Sequence, residues 1–400
     1  MSERIVNCHS HVFNFEIVPD SFISNYLSRF FAPIVAQLLR VRVLSGPVLY
    51  LLKKLTGGNF RKLIDFAMIG NKKTTEDVFT ELRSGYKSVY PDARFVILTM
   101  NFDHMDAKGY KGLFNTQLNH VKDLKRKYPN ELLPFLGIDP RMELHGQDIN
   151  EFLLQYFNPA RFSGFVGLKL YPSLGFYPFH PRLEPVYRFA IDHQLPIMTH
   201  CTPDGAYWSD KTLPQHLQFP LSFNPVEDAT PIEPVIRSKC VSLKNEIRRN
   251  YHLKPKDFCD YFLHPLNYWD VLLKYPQLKL CLAHTGGEET IKGKEERFIA
   301  KEWYKDIKEL LVNCDFPNLY ADVSFVLHDD DVITQLIKDL NSGSLPIEKM
   351  LFGTDFFMTA RIKNEKELVE NFRSKIGQVF WNKMAVENPK KYLTSDFYLA

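Results

Sequence analysis

The stretch Ile5-Val6-Asn7-Cys8-His9-Ser10-His11 sets the interpretation of the whole chain. It has the pattern of a short N-terminal strand that ends in two histidines two residues apart. Because side chains alternate faces along a strand, His9 and His11 are expected on one side, and Cys8 and Ser10 on the other. Two imidazoles on one side of a rigid strand can bind a divalent metal. The pair is a weak signal alone, so other residues must converge on it.

The composition is that of an ordinary globular protein. The chain has 400 residues, of which 45% are hydrophobic and 24% charged. Its 50 basic and 47 acidic residues give a net charge of +3, and the basic residues are spread along the chain. This distribution predicts no nucleic-acid partner. A small-molecule substrate is the expected partner, and the sequence leaves the oligomeric state open, including a homo-oligomer.

The sequence favours a cytoplasmic location. The six cysteines lack paired spacing, and several lie in apolar runs that are predicted to be buried, which is typical of reduced thiols. The N-terminus lacks the apolar core of a signal peptide. The most apolar later stretch, 30–52, is interrupted by polar residues and by Pro47, so we expect no transmembrane segment.

Strand and helix patterns alternate along the chain. Among the predicted helices are 267–274 and one that starts at Thr74, with acidic residues in its first turn. The predicted strands cover residues 4–11, 94–102, 132–139, 165–171, 195–200, 278–284, 319–325 and 349–355. Eight strands separated by helices predict an α/β fold, the (β/α)8 TIM barrel, which takes about 250 residues. We assign the excess to two insertions at the carboxyl-terminal face of the strands, about 14–69 and 201–263. The whole chain, 1–400, is then one domain.

Polar side chains stand at the carboxyl ends of the predicted strands, where the active site of such a barrel lies. They are His9 and His11 on strand one, Lys169 on strand four, His200 on strand five, His284 on strand six and Asp355 on strand eight. Each has an ordinary explanation alone, such as a hydrogen-bonded core histidine or a snorkelling lysine. Together, each at the tip of an apolar run, they predict a metal site.

These residues give the chain a family resemblance. It resembles the amidohydrolase superfamily, and most closely the amidohydrolase-related TIM-barrel branch of metal-dependent hydrolases. The motifs that carry the resemblance are GLKLYP at 167–172, LPIMTH at 195–200, LAHTGG at 282–287, ADVS at 321–324, LFGTDF at 351–356 and ENP at 387–389. The likeness covers the barrel from end to end and leaves the insertion 14–69 unmatched.

The resemblance implies a metal-ligand set. His9, His11, His200 and Asp355 would bind one divalent metal, with zinc as the expected ion, and His284 would lie near the substrate. In two-metal members of the superfamily the strand-four lysine, here Lys169, is carboxylated and bridges the ions. His200 and His284 then bind the second metal. An unmodified Lys169 would instead steer an anionic substrate, and both alternatives stay open.

The activity that the resemblance favours is hydrolysis, in which metal-activated water attacks a carbonyl or related carbon of a small molecule. Asp355 would accept the proton of the water, and His284 would stabilise the oxyanion. Tyr171 is a candidate for the pocket wall. Arg141 is either a clamp for a substrate carboxylate or a surface arginine in a salt bridge.

Two other functions remain open at this point. The first is decarboxylation of an aromatic or unsaturated carboxylic acid, because relatives in the same branch use one metal for that reaction. Release of carbon dioxide would distinguish it from hydrolysis. The second is a binding or scaffolding protein built on a barrel that has lost its catalytic activity, with segment 30–54 docking a membrane surface or a partner. The presence of every expected ligand disfavours it.

Overall fold

A computed structural model describes residues 4–23, 54, 74–106, 112–158, 164–203, 205–210, 234–250 and 253–398. The predicted insertion 14–69 lies outside these residues except for 14–23 and Lys54. The docking role considered for segment 30–54 therefore falls outside the described residues as well, apart from Lys54.

In the described part of the chain, eight parallel strands form one sheet in chain order. They are β1 (Val6–Ser10), β2 (Arg94–Leu98), β3 (Leu132–Ile138), β4 (Gly167–Leu170), β5 (Ile197–Thr199), β6 (Leu280–Leu282), β7 (Leu319–Asp322) and β8 (Met350–Leu351). The sheet closes where Cys8 N donates to the Phe352 carbonyl oxygen at 2.8 Å and Asp355 N to that of His9 at 2.8 Å. The predicted (β/α)8 TIM barrel is confirmed.

Helices connect the strands. They are α1 (Asp20–Ile23), α2 (Thr75–Ser84), α3 (Leu113–Lys127), α4 (Ile149–Tyr156), α5 (Glu184–Asp192), α6 (Pro234–Asn250), α7 (Pro255–Leu263), α8 (Asn267–Lys274), α9 (Glu288–Ile291), α10 (Trp303–Val312), α11 (Asp330–Ser342), α12 (Phe356–Thr359), α13 (Glu365–Ile376), α14 (Gln378–Asn382) and α15 (Asn388–Leu393). Where the structure describes them, none is long and apolar enough to cross a membrane.

Alternate residues of the strands fill the inside of the barrel. One buried cluster takes side chains from every strand except β4, among them Val6, Cys8, Val96, Leu98, Leu133, Phe135, Met198, Cys281, Tyr320 and Leu351, and Val166, just before β4, joins it. The position of Cys8 corrects the expectation that it points away from His9. The pairing of β1 with β2 shifts register between Asn7 and Ser10. Such a bulge lets Cys8 and His9, although adjacent, both face the interior.

The two ends of the barrel differ. Arg94, the first residue of β2, donates to Tyr398 Oη at 2.8 Å. Tyr392 and Leu393 of α15 join the interior cluster. The C-terminal segment therefore covers the amino-terminal ends of the strands, which leaves the carboxyl-terminal ends for a site.

Candidate metal centre and pocket

The structure brings the predicted strand-end residues together. Ligand atoms of His9, His284 and Asp355 lie within 4.8 Å of one another. His11 Nε2 is 3.8 Å from Asp355 Oδ1, and His200 Nδ1 is 3.1 Å from His284 Nε2. All five side chains are buried. The sequence prediction placed His284 near the substrate, or on a second metal, and in the structure its ring nitrogen lies in the same cluster as the predicted ligands.

Three of the histidines have Nδ1 held by an oxygen of the protein. The pairs are His9 Nδ1 with Asp322 Oδ2 at 2.8 Å, His11 Nδ1 with the Leu98 carbonyl oxygen at 2.9 Å, and His284 Nδ1 with the Ser324 carbonyl oxygen at 3.2 Å. Carboxylate and carbonyl oxygens only accept, so each Nδ1 carries the proton. Burial lowers the pKa of each imidazole well below its usual value, so each ring is neutral. Each therefore presents an Nε2 lone pair, the form in which histidine binds a metal.

Unpaired polar atoms mark the same place. Within the described residues, His9 Nε2, Lys169 Nζ and Asp355 Oδ1 are buried and have no hydrogen-bond partner. Buried polar atoms are nearly always paired in native proteins, and a cation bound here would pair the imidazole nitrogen of His9 and the carboxylate oxygen of Asp355. Neutral imidazole nitrogens beside a carboxylate oxygen are a donor set that suits zinc or manganese. The residues therefore fit a divalent metal.

The two charged side chains of the cluster have shifted pKa values. Burial raises the pKa of Asp355 to about 7, although the positive charge of Lys169 opposes the shift. Burial also lowers the pKa of Lys169 to about 8, against the attraction of Asp322 and Asp355. Desolvation disfavours the charged form of each group, so it acts in opposite directions on an acid and a base.

The backbone is strained at the strand ends. His284, Thr285, Phe325 and Asp355 have φ values of 65°, 48°, 67° and 53°, a left-handed region that residues other than glycine rarely adopt. His284 N donates to Asp322 Oδ1 at 2.9 Å. Strain of this kind persists only where the surrounding structure holds it, and it concentrates at functional sites.

Asp322 is the residue that sequence reasoning missed. It occurs in the ADVS motif, but it received no role. It lies at the end of β7, fully buried, and its carboxylate accepts from His9 Nδ1 and from the backbone N–H groups of His284 and Ser324. In the structure it ends an apolar strand, as His200 and His284 do, but the predicted strand 319–325 placed it inside the strand.

A pocket opens directly above the cluster. It has about 610 Å³ of space, part of it open to solvent. The described residues that line it are His11, Phe13, Phe22, Met100, Phe102, Tyr171, His200, Thr202, Gly205, Ala206, His284, Phe325, Asp355, Phe357 and Met358. Tyr171 lines it as expected, and its ring stacks on His200 with centroids 4.4 Å apart. The polar atoms lie at the floor, and the walls are aromatic and aliphatic.

Arg141 is not among these lining residues. Its Nε donates to Asp139 Oδ1 at 2.8 Å, and Nη1 donates to the Leu174 carbonyl oxygen at 2.8 Å. The third nitrogen, Nη2, donates to Asp139 Oδ2 at 2.5 Å. The guanidinium is thus engaged in a buried bidentate ion pair, the geometry of the salt-bridge alternative, and it ties the end of β3 to the loop after β4.

Known structures share this fold along nearly the whole chain. One is 5-carboxyvanillate decarboxylase from Novosphingobium aromaticivorans DSM 12444, complexed with manganese and 4-hydroxy-3-methoxy-5-nitrobenzoic acid. It matches with a TM-score of 0.51 and 14% identity, over 98% of this chain and 96% of that chain. Another is 2,6-dihydroxybenzoate decarboxylase complexed with 2,6-dihydroxybenzoate, with a TM-score of 0.50 and 14% identity, over 98% and 99%. At this identity the likeness establishes the fold.

Sequence comparison gives the family. No curated protein sequence matches the chain. A family model described as Amidohydrolase matches residues 160–393, which include Lys169, His200, His284 and Asp355. The match covers more than half of the chain, and the chain therefore belongs to the amidohydrolase family.

Proposed function

We propose that this protein is a metal-dependent decarboxylase of an aromatic carboxylic acid. The observation that carries the proposal is the aromatic wall directly above a floor of metal-ligand atoms. The rings of Phe13 and Phe357 stack with centroids 4.1 Å apart in this wall. A flat apolar ring gains from such a wall, while its carboxylate reaches the polar floor. The sequence favoured hydrolysis, and the pocket moves the preference to the alternative that the sequence left open.

The solved relatives support this choice without deciding it. The two described above are decarboxylases, and one was solved with manganese and a nitrobenzoic acid. Their identity of 14% to this chain is too low to transfer a reaction. The proposal therefore depends on the pocket and on the assay below.

We assign the metal to His9, His11 and Asp355, with a further imidazole nitrogen from the adjacent pair His200 and His284. Manganese or zinc suits this set. When bound, the ion supplies positive charge that orients a carboxylate and stabilises developing negative charge. Lys169, in this proposal an unmodified lysine, adds a second positive charge at the floor and draws the anionic substrate inward.

The reaction cleaves one carbon–carbon bond and transfers one proton, and protein side chains assist both steps. The bond between the ring carbon and the carboxyl carbon breaks, carbon dioxide leaves, and the electron pair remains on the ring carbon. The oxygen of Asp355 that is not assigned to the metal carries a proton and donates it to that carbon. The carboxylate then takes up another proton from solvent before the next turnover. The apolar walls, such as Phe357 and Met358, exclude bulk water and hold the ring above the donor.

The test is a direct assay for carbon dioxide. The purified protein is loaded with manganese or zinc and incubated with a panel of benzoic acids that carry an ortho hydroxyl group. We expect carbon dioxide in equal amount to the acid consumed and, in heavy water, one deuterium at the vacated ring carbon. Absence of carbon dioxide across the panel, or a product that carries oxygen from solvent water, would overturn the proposal in favour of hydrolysis.

A further inference from the structure

We propose that Asp322 is a positioning residue that fixes the tautomers of two histidines on different strands, His9 and His284. Through it, both rings would present Nε2 to the metal centre. The inference rests on the metal centre of the proposed function, and it adds the group that decides whether that centre is competent to bind.

The carboxylate of Asp322 meets only donors. Its Oδ2 accepts from His9 Nδ1 at 2.8 Å. Its Oδ1 accepts from His284 N at 2.9 Å and from Ser324 N at 2.9 Å, and also from the Ser324 hydroxyl. A carboxylate offers two acceptor oxygens and no donor, so it satisfies all of these groups at once.

Ser324 relays this effect to His284. Its hydroxyl group has one hydrogen, which goes to Asp322 Oδ1. The hydroxyl oxygen is therefore an acceptor toward His284 Nδ1, which lies 2.9 Å away. The Ser324 carbonyl oxygen accepts from the same Nδ1 at 3.2 Å. Asp322 thus keeps the proton on Nδ1 directly in His9 and through Ser324 in His284.

The substitution Asp322→Asn separates positioning from simple packing, because an amide has the same shape and only one acceptor oxygen. The backbone N–H groups of His284 and Ser324 and the Ser324 hydroxyl all donate at the Oδ1 position, so the amide oxygen takes that position. The amide NH2 then faces His9 Nδ1, which must become an acceptor and move its proton to Nε2. A protonated Nε2 cannot bind a metal, so the change removes His9 from the ligand set without removing its side chain.

The first measurement is the affinity for Mn²⁺, titrated without substrate. We expect Asp322→Asn to weaken it by about 10- to 100-fold, the usual cost of losing a partner behind a metal ligand. Ser324→Ala keeps the carboxylate and should weaken it by about three- to tenfold, the worth of one hydrogen bond. Asp270→Asn is the matched control, because Asp270 is a buried aspartate on α8 that pairs with Lys244. The Mn²⁺ affinity of this control variant should stay within about twofold of the wild type.

The second measurement reads the tautomers by ¹⁵N NMR of histidine-labelled protein without metal. In Asp322→Asn we expect one imidazole to change from the Nδ1–H to the Nε2–H form, a change that loss of packing alone would not produce. Wild-type affinity in Asp322→Asn, or unchanged tautomers, would overturn the inference. If this variant does not fold, Ser324→Ala decides by its affinity, and wild-type affinity there overturns the inference. None of these readouts needs turnover, so failure of the proposed decarboxylation would be seen separately.

Discussion

His11 and His9 differ in what holds them, and the difference makes His11 the better probe of the metal centre. His9 Nδ1 contacts the Asp322 carboxylate, whereas His11 Nδ1 contacts the Leu98 carbonyl oxygen. Removal of His9 would leave a buried carboxylate short of a donor, which costs stability. Removal of His11 leaves only the Leu98 carbonyl oxygen without that donor. The effect of the substitution on metal binding can therefore be separated from its effect on folding.

We predict that His11→Ala loses at least about tenfold in metal affinity while the barrel stays folded. Metal content by mass spectrometry and thermal unfolding by circular dichroism are the measurements. His264→Ala is the control, because His264 is buried away from the cluster and accepts from Leu266 N at 3.2 Å. That variant should lose stability and keep its metal. Full metal occupancy in His11→Ala would contradict the ligand assignment.

At the residue scale, the sequence predicted which side chains meet, because a barrel carries the tips of its strands to one face. His9, His11, His200, His284 and Asp355 follow from that rule alone. Asp322 obeys the same rule in the structure, but the strand was predicted to run to residue 325 and ends at Asp322. The sequence left two roles open for Arg141, a substrate clamp or a salt bridge, because the pairing of Arg141 with Asp139 depends on how the loop folds.

At the scale of elements, helices were predicted more closely than strands. The predicted helix 267–274 coincides with α8, and α2 has the expected start, where Asp77 N donates to Thr74 Oγ1 at 3.1 Å and Thr74 N to Asp77 Oδ2 at 2.8 Å. The last strand was predicted at 349–355 but is Met350–Leu351. Beyond Leu351 the chain still bonds to β1, through the Phe352 carbonyl oxygen and Asp355 N. Asp355 itself has a φ of 53°, a conformation outside the strand region that alternation of side chains does not reveal.

Strand β4 contains a glycine that the barrel interior requires. A Cβ atom at Gly167 would lie 2.5 Å from the Phe135 ring on the neighbouring strand. We predict that Gly167→Ala lowers the free energy of unfolding by about 1–3 kcal/mol, because a rigid ring cannot yield and the core becomes overpacked. Urea unfolding measures it, and adding Phe135→Leu should restore part of the loss. A Gly167→Ala variant as stable as the wild type would show that β4 shifts freely.

For the whole molecule, the alternation of strands and helices sufficed to predict the barrel, while contacts between distant segments stayed hidden. Asn7 Nδ2 donates to Thr354 Oγ1 at 2.8 Å, across 347 positions of sequence. Glu365 Oε1 accepts from Tyr86 Oη at 2.8 Å and from Thr354 Oγ1 at 2.8 Å. These bonds tie β1, the segment after α2 and the start of α13 to the loop that carries Asp355. A local sequence pattern cannot predict such contacts, because each of these residues alone resembles an ordinary polar residue.

This network makes global stability depend on pH through Glu365. Burial raises the pKa of Glu365 from 4.5 to about 7. A carboxyl whose pKa is higher in the folded state stabilises the fold fully below the unfolded pKa, and that contribution is lost as the pH rises through the folded pKa. Folded protein binds the proton more tightly, so stability should fall between about pH 5 and pH 8, by up to about 3 kcal/mol from this group.

We predict that Glu365→Gln flattens this pH profile, because the amide keeps an acceptor for Tyr86 and Thr354 and does not ionise. Urea unfolding at pH 5, 6, 7 and 8, with a chelator present throughout, measures the difference between variant and wild type. The variant should gain stability relative to the wild type as the pH rises. Glu370 is half-exposed on α13, so the pH profile of Glu370→Gln should run parallel to that of the wild type. A parallel profile for Glu365→Gln as well would mean that Glu365 is already ionised in the folded protein at low pH.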